Sequence, residues 1–508
     1  MNCKVRHSWK SFAQAGLGLL LIAGLAVPAV AGFGEIGWND FRVSYGDADL
    51  DDQFAAVAYS PAHDVFLVVW LELGSDPFPR RIVARRLDGS SGLPMGEEIA
   101  VLDVPNCTAA FCPSNPAVAY SPTADVFVVA VPLDDVVVGQ AAEEFEIIAW
   151  DVDPASGAAS WVIRLSDAGG LGDPSFDALD PALACSSATT ECLVTWWGDD
   201  SVGGLVEGES EIFGQRFDAT TGSPVGNDDF RISDLGGTGD IAFDATFPAV
   251  AYNGDDDEYL VVWGGDDNVG GLIDGESEIF GQRLNAATGT AQGVNDFRVS
   301  DMGGTGNVTF DAGQAAVAYN PANDEYLVVW AGDEDVGGLV DDEVEIFAQR
   351  LDAPTGAEVG ANDFRVSDAG GTGNPNFDAG FPDVSYLGAG QEYLVVWSGD
   401  DNVGGLQDFE SEIFGQRLAG VTGAEIGAND LRLSDMGGTG DNPFDALFAA
   451  VAYSSASGQT LVVWEGTDDV GGLGEFEREV FGQRLGEQVV FADGFASGNT
   501  SAWSATVP

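Results

Sequence analysis

Positive charge is what this sequence has least of. Of 508 residues, 19 are Lys or Arg and 83 are Asp or Glu, a formal net charge of −64. Both lysines, Lys4 and Lys10, fall in the first ten residues. A chain so poor in cations has no basic stripe to displace the counterions of a phosphate backbone, so nucleic acid is excluded as a partner. Histidine is nearly as scarce, with 2 in the chain. Beyond His7 there is only His63, in the turn SPAHDVF, where an exposed turn residue is expected, and any Ser-His-Asp or Cys-His machinery would have to be built on it. No stretch after residue 31 is apolar enough to span a bilayer, and none keeps a 3.6-residue apolar period, so helical domains are not expected.

Cysteine is also rare, with 5 in all. Cys3 stands apart, while Cys107 with Cys112 and Cys185 with Cys192 form two close pairs. Neither C-x-x-C spacing nor a histidine partner supports zinc, so two small disulfide loops are predicted, Cys107–Cys112 and Cys185–Cys192. That reading requires an oxidising compartment. The N-terminus supplies the route. Lys4, Arg6 and Lys10 precede the run AGLGLLLIAGLAVPAV, which ends in the small-residue site Ala29-Val30-Ala31. This is the order of a secretory signal peptide over residues 1–31, and the mature protein is expected to be secreted or at the cell surface, with no transmembrane segment. Cleavage removes three positive charges and leaves a net of −67. Such a surface favours solubility and a monomer by self-repulsion.

What the sequence has in abundance is repetition. Trp196, Trp263, Trp330, Trp397 and Trp464, at the ends of LVVW-type runs, follow one another at intervals of 67 residues. Arg216, Arg283, Arg350, Arg417 and Arg484 of FGQR or FAQR, and Arg164, Arg231, Arg298, Arg365 and Arg432 of the FRVS-like run, keep the same interval. Two looser units precede these five, ending their second runs at Trp70 and Ala130. Each unit carries four short runs rich in Val, Ile, Phe, Tyr and Trp, separated by Gly, Asp and Asn clusters, the pattern of strands and turns. The fold expected is an all-β, seven-bladed β-propeller of four-stranded antiparallel blades over residues 32–487, followed by a tail over 488–508. AVAY-type runs should be innermost. The last unit lacks an outer strand and the first FRVS run, Asn39 to Ser44, lacks a blade, so closure by the N-terminal strand is predicted.

Features shared by every unit are expected to build blades rather than do chemistry. The periodic arginines should therefore pair with Asp of the SD or GDD segments. The SDLGGTG-type runs are not phosphate loops, because no Lys follows and no helix opens there. They approach the Asp-box of sialidase-type propellers but are shifted by one and lack the aromatic residue. The acidic loops, such as GDDNVGGLIDGESE, are oxygen-rich and flexible enough for a hard cation. Asp266, Asp267, Glu276 and Glu278, with Asp333, Glu334, Glu343 and Glu345 one unit on, are the candidate Ca²⁺ ligands. The bland alternative is a solvated acidic rim. No other cofactor is indicated.

The LVVW, EIFGQRLDA-TG and NDFRVSD strings resemble repeats of large secreted bacterial propeller proteins, and VVFADGFASGNTSAWSATVP resembles a short C-terminal sorting or surface-retention tail on exported bacterial proteins. Neither resemblance brings a defined activity. The second unit departs most from the pattern, with Ala130 in place of Trp and Asp151 in place of the FGQR arginine. The function expected is a non-enzymatic extracellular scaffold that presents its acidic loop face to a protein or glycan. The alternative is a carboxylate-dependent glycoside hydrolase or polysaccharide lyase on the same fold.

Overall fold

Apolar runs of five to eight residues cut by Gly- and Asp-rich turns can pair only with their neighbours in sequence, and the computed structural model shows that arrangement. It describes residues 33–45, 50–74, 80–104, 115–134, 144–170, 172–440, 443–468, 473 and 477–487. The leader, the tail and the Cys107–Cys112 pair lie outside the described residues. Within them are 28 strands, β1–β28 in chain order, one 3₁₀ turn at Val202–Gly204 and no α-helix. They form seven four-stranded sheets, antiparallel throughout. In the fourth blade β14 (Ala245–Asn253), β15 (Glu258–Gly265), β16 (Glu278–Asn285) and β17 (Ala291–Arg298) lie side by side in that order. The first strand of each blade touches the first strands of both neighbouring blades, which places the AVAY runs around the axis as expected.

Closure also follows the expectation. In the seventh blade, β26 (Ala446–Ser454), β27 (Gln459–Thr467) and β28 (Arg478–Glu487) are completed by β1 (Phe33–Arg42). Phe33 lies opposite Glu487 and Arg42 opposite Phe481, with a bulge between Ile36 and Phe41. The ring is thus fastened by hydrogen bonds between residues more than 400 apart in sequence.

The core lies between blades. Every residue of β15 is buried, because a middle strand has a neighbouring sheet on each face. One cluster joins Leu260, Val262 and Ile279 of the fourth blade to Tyr326, Val328, Trp330 and Phe347 of the fifth. Trp70, Trp263, Trp330 and Trp464 are wholly buried. Truncating such a side chain to Ala costs about 3–5 kcal/mol. In the second blade the register puts Val131, not Ala130, where the others have Trp, and Trp150 of the third strand, opposite Val129, is buried in the same cluster as Val131. Cys185 and Cys192 sit directly opposite across the inner hairpin of the third blade and form the predicted disulfide.

The arginines divide into two groups. Those of the FRVS run pair with the SD aspartate three residues on, as expected, for example Arg231 with Asp234 at 2.7 Å and Arg298 with Asp301 at 2.9 Å. Those of FGQR do not reach SD or GDD. They pair with the glutamate that opens the adjoining strand, as in Arg283 with Glu258 (2.9 Å) and Arg350 with Glu325 (2.6 Å). Two-residue alternation puts Arg283 and Glu258 on the same face of adjacent strands, near enough for a fork of hydrogen bonds. In the seventh blade Gln459 replaces that glutamate, and Arg484 donates instead to the Ser90 carbonyl of the first.

Candidate functional site

Connections alternate between the two faces of an antiparallel blade, so the acidic loop between its middle strands shares a face with the GGTG loop that leads to the next blade. The structure ties the two together through the candidate metal ligands. Asp266 accepts the amides of Asp244 (3.0 Å) and Gly275 (2.7 Å), and Asp267 those of Gly236 (3.0 Å) and Asn268 (2.7 Å). Glu276 accepts Gly306 (2.6 Å) and Ile273 (3.1 Å). Glu278 accepts the Ser300 hydroxyl and the Met302 amide. One unit on, Asp333, Glu334, Glu343 and Glu345 repeat the pattern with Asp311, Gly303, Gly373 and Ala369 amides. All eight are buried. Glu276 and Glu278 bind separate backbone segments rather than one shared point, and a cation would have to displace these amides. No group of three or more His, Cys, Asp or Glu among the described residues is arranged to hold a metal ion.

The face is therefore turned inside out relative to its sequence: many carboxylates point in, and Val269, Val336 and Val403, 63–66% exposed, stand at the loop tips. Burial raises the pKa of Glu278 and Glu345 to about 7, against the opposing pull of their Ser and amide donors. The acidic character that dominates the composition is largely used in holding loops.

The feature that the sequence reading did not single out lies at the axis. Two positions before each AVAY-type run of the inner strands stands one residue, and these seven are Phe54, Asn115, Asp180, Phe247, Gln314, Phe381 and Phe448. With the Pro or Ala after each, they line a cavity of about 320 Å³ at the channel mouth on the long-loop face. Six of them have φ between 43° and 58° and sit in a bulge of the inner strand. A left-handed backbone at a non-glycine residue costs of order 1–2 kcal/mol. The chain has 69 glycines and uses them at many of its other left-handed positions, so a side chain is being kept at these six.

The ring has an aromatic arc of Phe381, Phe448 and Phe54, and a mixed one of Asn115, Asp180 and Gln314 with a fourth phenyl, Phe247, packed on Trp197. Phe448 lies 5.1 Å from Phe54 and 4.6 Å from Phe381, ring centre to ring centre, in tilted and edge-on contacts. Their backbone amides are satisfied by the preceding blade: Phe54 donates to Glu465 (2.8 Å), Phe448 to Ser398 (2.8 Å) and Phe381 to the Gln314 side chain (2.7 Å). Across the ring, Asp180 accepts the Asn115 amide (3.2 Å) and the Trp197 indole N–H (2.8 Å), which fix its orientation. Burial pushes the Asp180 carboxyl above its ordinary range. Deeper along the inner strands, Asp383 stands where other blades have Ala. It binds the Val384 and Val451 amides (both 2.8 Å), and burial raises it to about 6.

Two clefts leave the mouth beside Gln314. One, of about 360 Å³, runs past Asp311, Asp333 and Asp342. The other, of about 300 Å³, passes Phe381, Asp378, Asp400 and the exposed Phe409. The site is thus a ring of phenyl, amide and carboxylate groups with acidic extensions, long enough to follow an extended ligand.

No family model and no curated protein matches the sequence. Solved structures align over most of the described fold. An α-L-arabinanase of Penicillium chrysogenum complexed with arabinobiose is 11% identical, over 89% of this chain and 99% of its own, with a TM-score of 0.43. The α-L-arabinofuranosidase Arb93A of Fusarium graminearum, in complex with an iminosugar inhibitor, is 12% identical over 90% and 97%, with a TM-score of 0.41. The propeller domain of the trilobed protease of Pyrococcus furiosus is 8% identical over 87% and 99%, also with a TM-score of 0.41. At these values the likenesses assign no activity to this chain.

Proposed function

We propose that this is an exported carbohydrate-binding propeller whose glycan sits at the channel mouth. The observation that carries the reading is the ring at the axis: apolar faces next to hydrogen-bonding amides and a fixed carboxylate, kept at strained backbone positions. Sugars present an apolar C–H face and a rim of hydroxyls, and a pocket with aromatic walls and a few oriented polar groups matches both. The clefts beside Gln314 would take further units of the same chain. The partner surface is then the mouth, not the acidic loops, whose carboxylates are occupied with backbone amides. Export follows from the leader, and the Cys185–Cys192 bridge fits an oxidising exterior.

Calorimetry of the purified protein against oligosaccharides of differing linkage tests this. Binding to at least one is expected, weakened tenfold or more in Phe448→Ala and Phe381→Ala at unchanged melting temperature. Absence of binding across the panel, or binding indifferent to both substitutions, refutes it. Turnover is a second reading, favoured by the raised carboxyls of Asp180 and Asp383, since glycoside hydrolysis needs two carboxylates. Release of reducing ends that disappears in both Asp180→Asn and Asp383→Asn would convert the binding site into an active site.

A further inference from the structure

The charge of the ligand is constrained by what the site does and does not contain. None of the residues lining the mouth or its two clefts is Lys, Arg or His. The mouth carries the carboxylate of Asp180, and the clefts carry Asp311, Asp333 and Asp342 on one side and Asp378 and Asp400 on the other. Their hydrogen-bond donors are neutral amides and an indole, so no cation among the described residues is bonded to these carboxylates. The chain around them carries a net −64. Such a field repels uronates, sulfates and phosphates and concentrates cations at the mouth.

The opposite wall points the same way. Three phenyl rings line the cavity there, Phe448 lying 5.1 Å from Phe54 and 4.6 Å from Phe381, and an ammonium over such a face gains about 0.5–2 kcal/mol. A carboxylate taken partly out of water is restored by a cation more than by a neutral hydroxyl.

Resting on the carbohydrate reading above, we infer that the glycan taken at this mouth carries free amines, that is, a glucosamine-type cationic saccharide rather than a neutral, N-acetylated or acidic one. The first amine sits between the Phe54–Phe448–Phe381 arc and Asp180, and later units follow the acidic clefts past Gln314.

The test is calorimetric titration of the whole mature protein with a β-1,4-linked glucosamine oligomer, its N-acetylated counterpart, a galacturonate oligomer, and choline as a cation without a sugar. Titrations are run at pH 6 in about 0.5 M NaCl, so that adsorption to the acidic exterior is screened. The expected result is that the glucosamine oligomer binds at least tenfold more tightly than the N-acetylated one, and that galacturonate does not bind. Asp180→Asn and Phe448→Ala should each weaken glucosamine binding at least tenfold. Asn is close in shape to Asp, and Phe448→Leu is the second variant should Phe448→Ala fail to fold. Equal binding of the free and acetylated oligomers overturns the amine inference and leaves the carbohydrate reading standing. Binding of choline with no binding of any saccharide overturns the carbohydrate reading and, with it, the amine-bearing glycan, and leaves a cation site at the mouth. Glucosamine binding unaffected by Asp180→Asn and by the Phe448 variants marks adsorption to the acidic surface and overturns both.

Discussion

Raising the pH from 5 to 8 should destabilise this propeller, and the reason is repeated around the ring. In the outer strands, Asp229, Asp296, Asp363 and Asp430 each sit at a bulge with positive φ and accept the amide of Asp167, Asp234, Asp301 or Asp368 of the preceding blade. In all four the other carboxylate oxygen is buried without a hydrogen-bond partner among the described residues, a place suited to a proton. Burial, with neighbouring acids, pushes their pKa up, to about 8 for Asp229 and about 7 for the other three. Because the folded value lies above the unfolded one, the fold holds a proton that the unfolded chain releases between about pH 4 and 7. The stabilisation is complete below the unfolded value and is lost as pH rises through the folded one. At about 1.4 kcal/mol per pH unit, the span above pH 5 gives roughly 3 kcal/mol for each of the three blades at about 7 and roughly 4 kcal/mol for that of Asp229. With an unfolding entropy of about 2.1 cal/mol/K per residue, one such blade moves Tm by roughly 3 °C and the four together by roughly 13 °C. Scanning calorimetry at pH 5 and 8 should show the higher Tm at pH 5. The difference should persist in about 1 M NaCl, where the screening length falls to about 3 Å and general repulsion is damped. Asp296→Asn keeps the acceptor for the Asp234 amide and removes the charge, so it should raise Tm at pH 8 and reduce the pH dependence. A Tm that is flat or rises from pH 5 to 8, or a dependence abolished by salt, refutes the reasoning.

Three further outcomes are expected. Arg283→Met strands the buried Glu258 and should cost about 3–5 kcal/mol by denaturant titration, with Glu258→Gln in the same chain recovering most of it. Reducing Cys185–Cys192 frees a loop with a separation of only 7 residues, so calorimetry should show a loss of no more than about 2.5 kcal/mol and a still-folded protein. Removing residues 33–44 deletes the outer strand of the seventh blade and the Arg42 and Ser44 partners of the buried Glu479, and should abolish cooperative thermal unfolding.

Much of the architecture was legible because a propeller writes its geometry into its period. The 67-residue interval fixed the five strict blades, the AVAY runs marked the axis, and one unpaired strand at each end required ring closure. The arginine partners were legible only in part. Asp234 is local to Arg231, but Glu258 reaches Arg283 through strand register, which composition does not display. The acidic loops misled for a related reason. A run such as GDDNVGGLIDGESE looks like solvated charge until the GGTG loops on both sides are seen to direct their amides at Asp267 and Glu276.

The channel mouth was hidden by the same repetition that revealed the fold. Constant positions attract attention in a repeat, and they are constant because every blade must pack against the next. A ligand at the axis meets all seven blades at one level and cannot itself have sevenfold symmetry, so the residues that recognise it must differ from blade to blade within an unchanged frame. The position before Pro181, Pro248, Ala315, Pro382 and Ala449 does so, reading Asp, Phe, Gln, Phe and Phe at intervals of 67. Its flanks keep the bulge and its backbone keeps the left-handed turn, while the side chain changes from acid to aromatic to amide. The signal for the site was therefore present in the sequence as a variable column inside a conserved-looking period, and it becomes readable once the inner strand is known to face the axis.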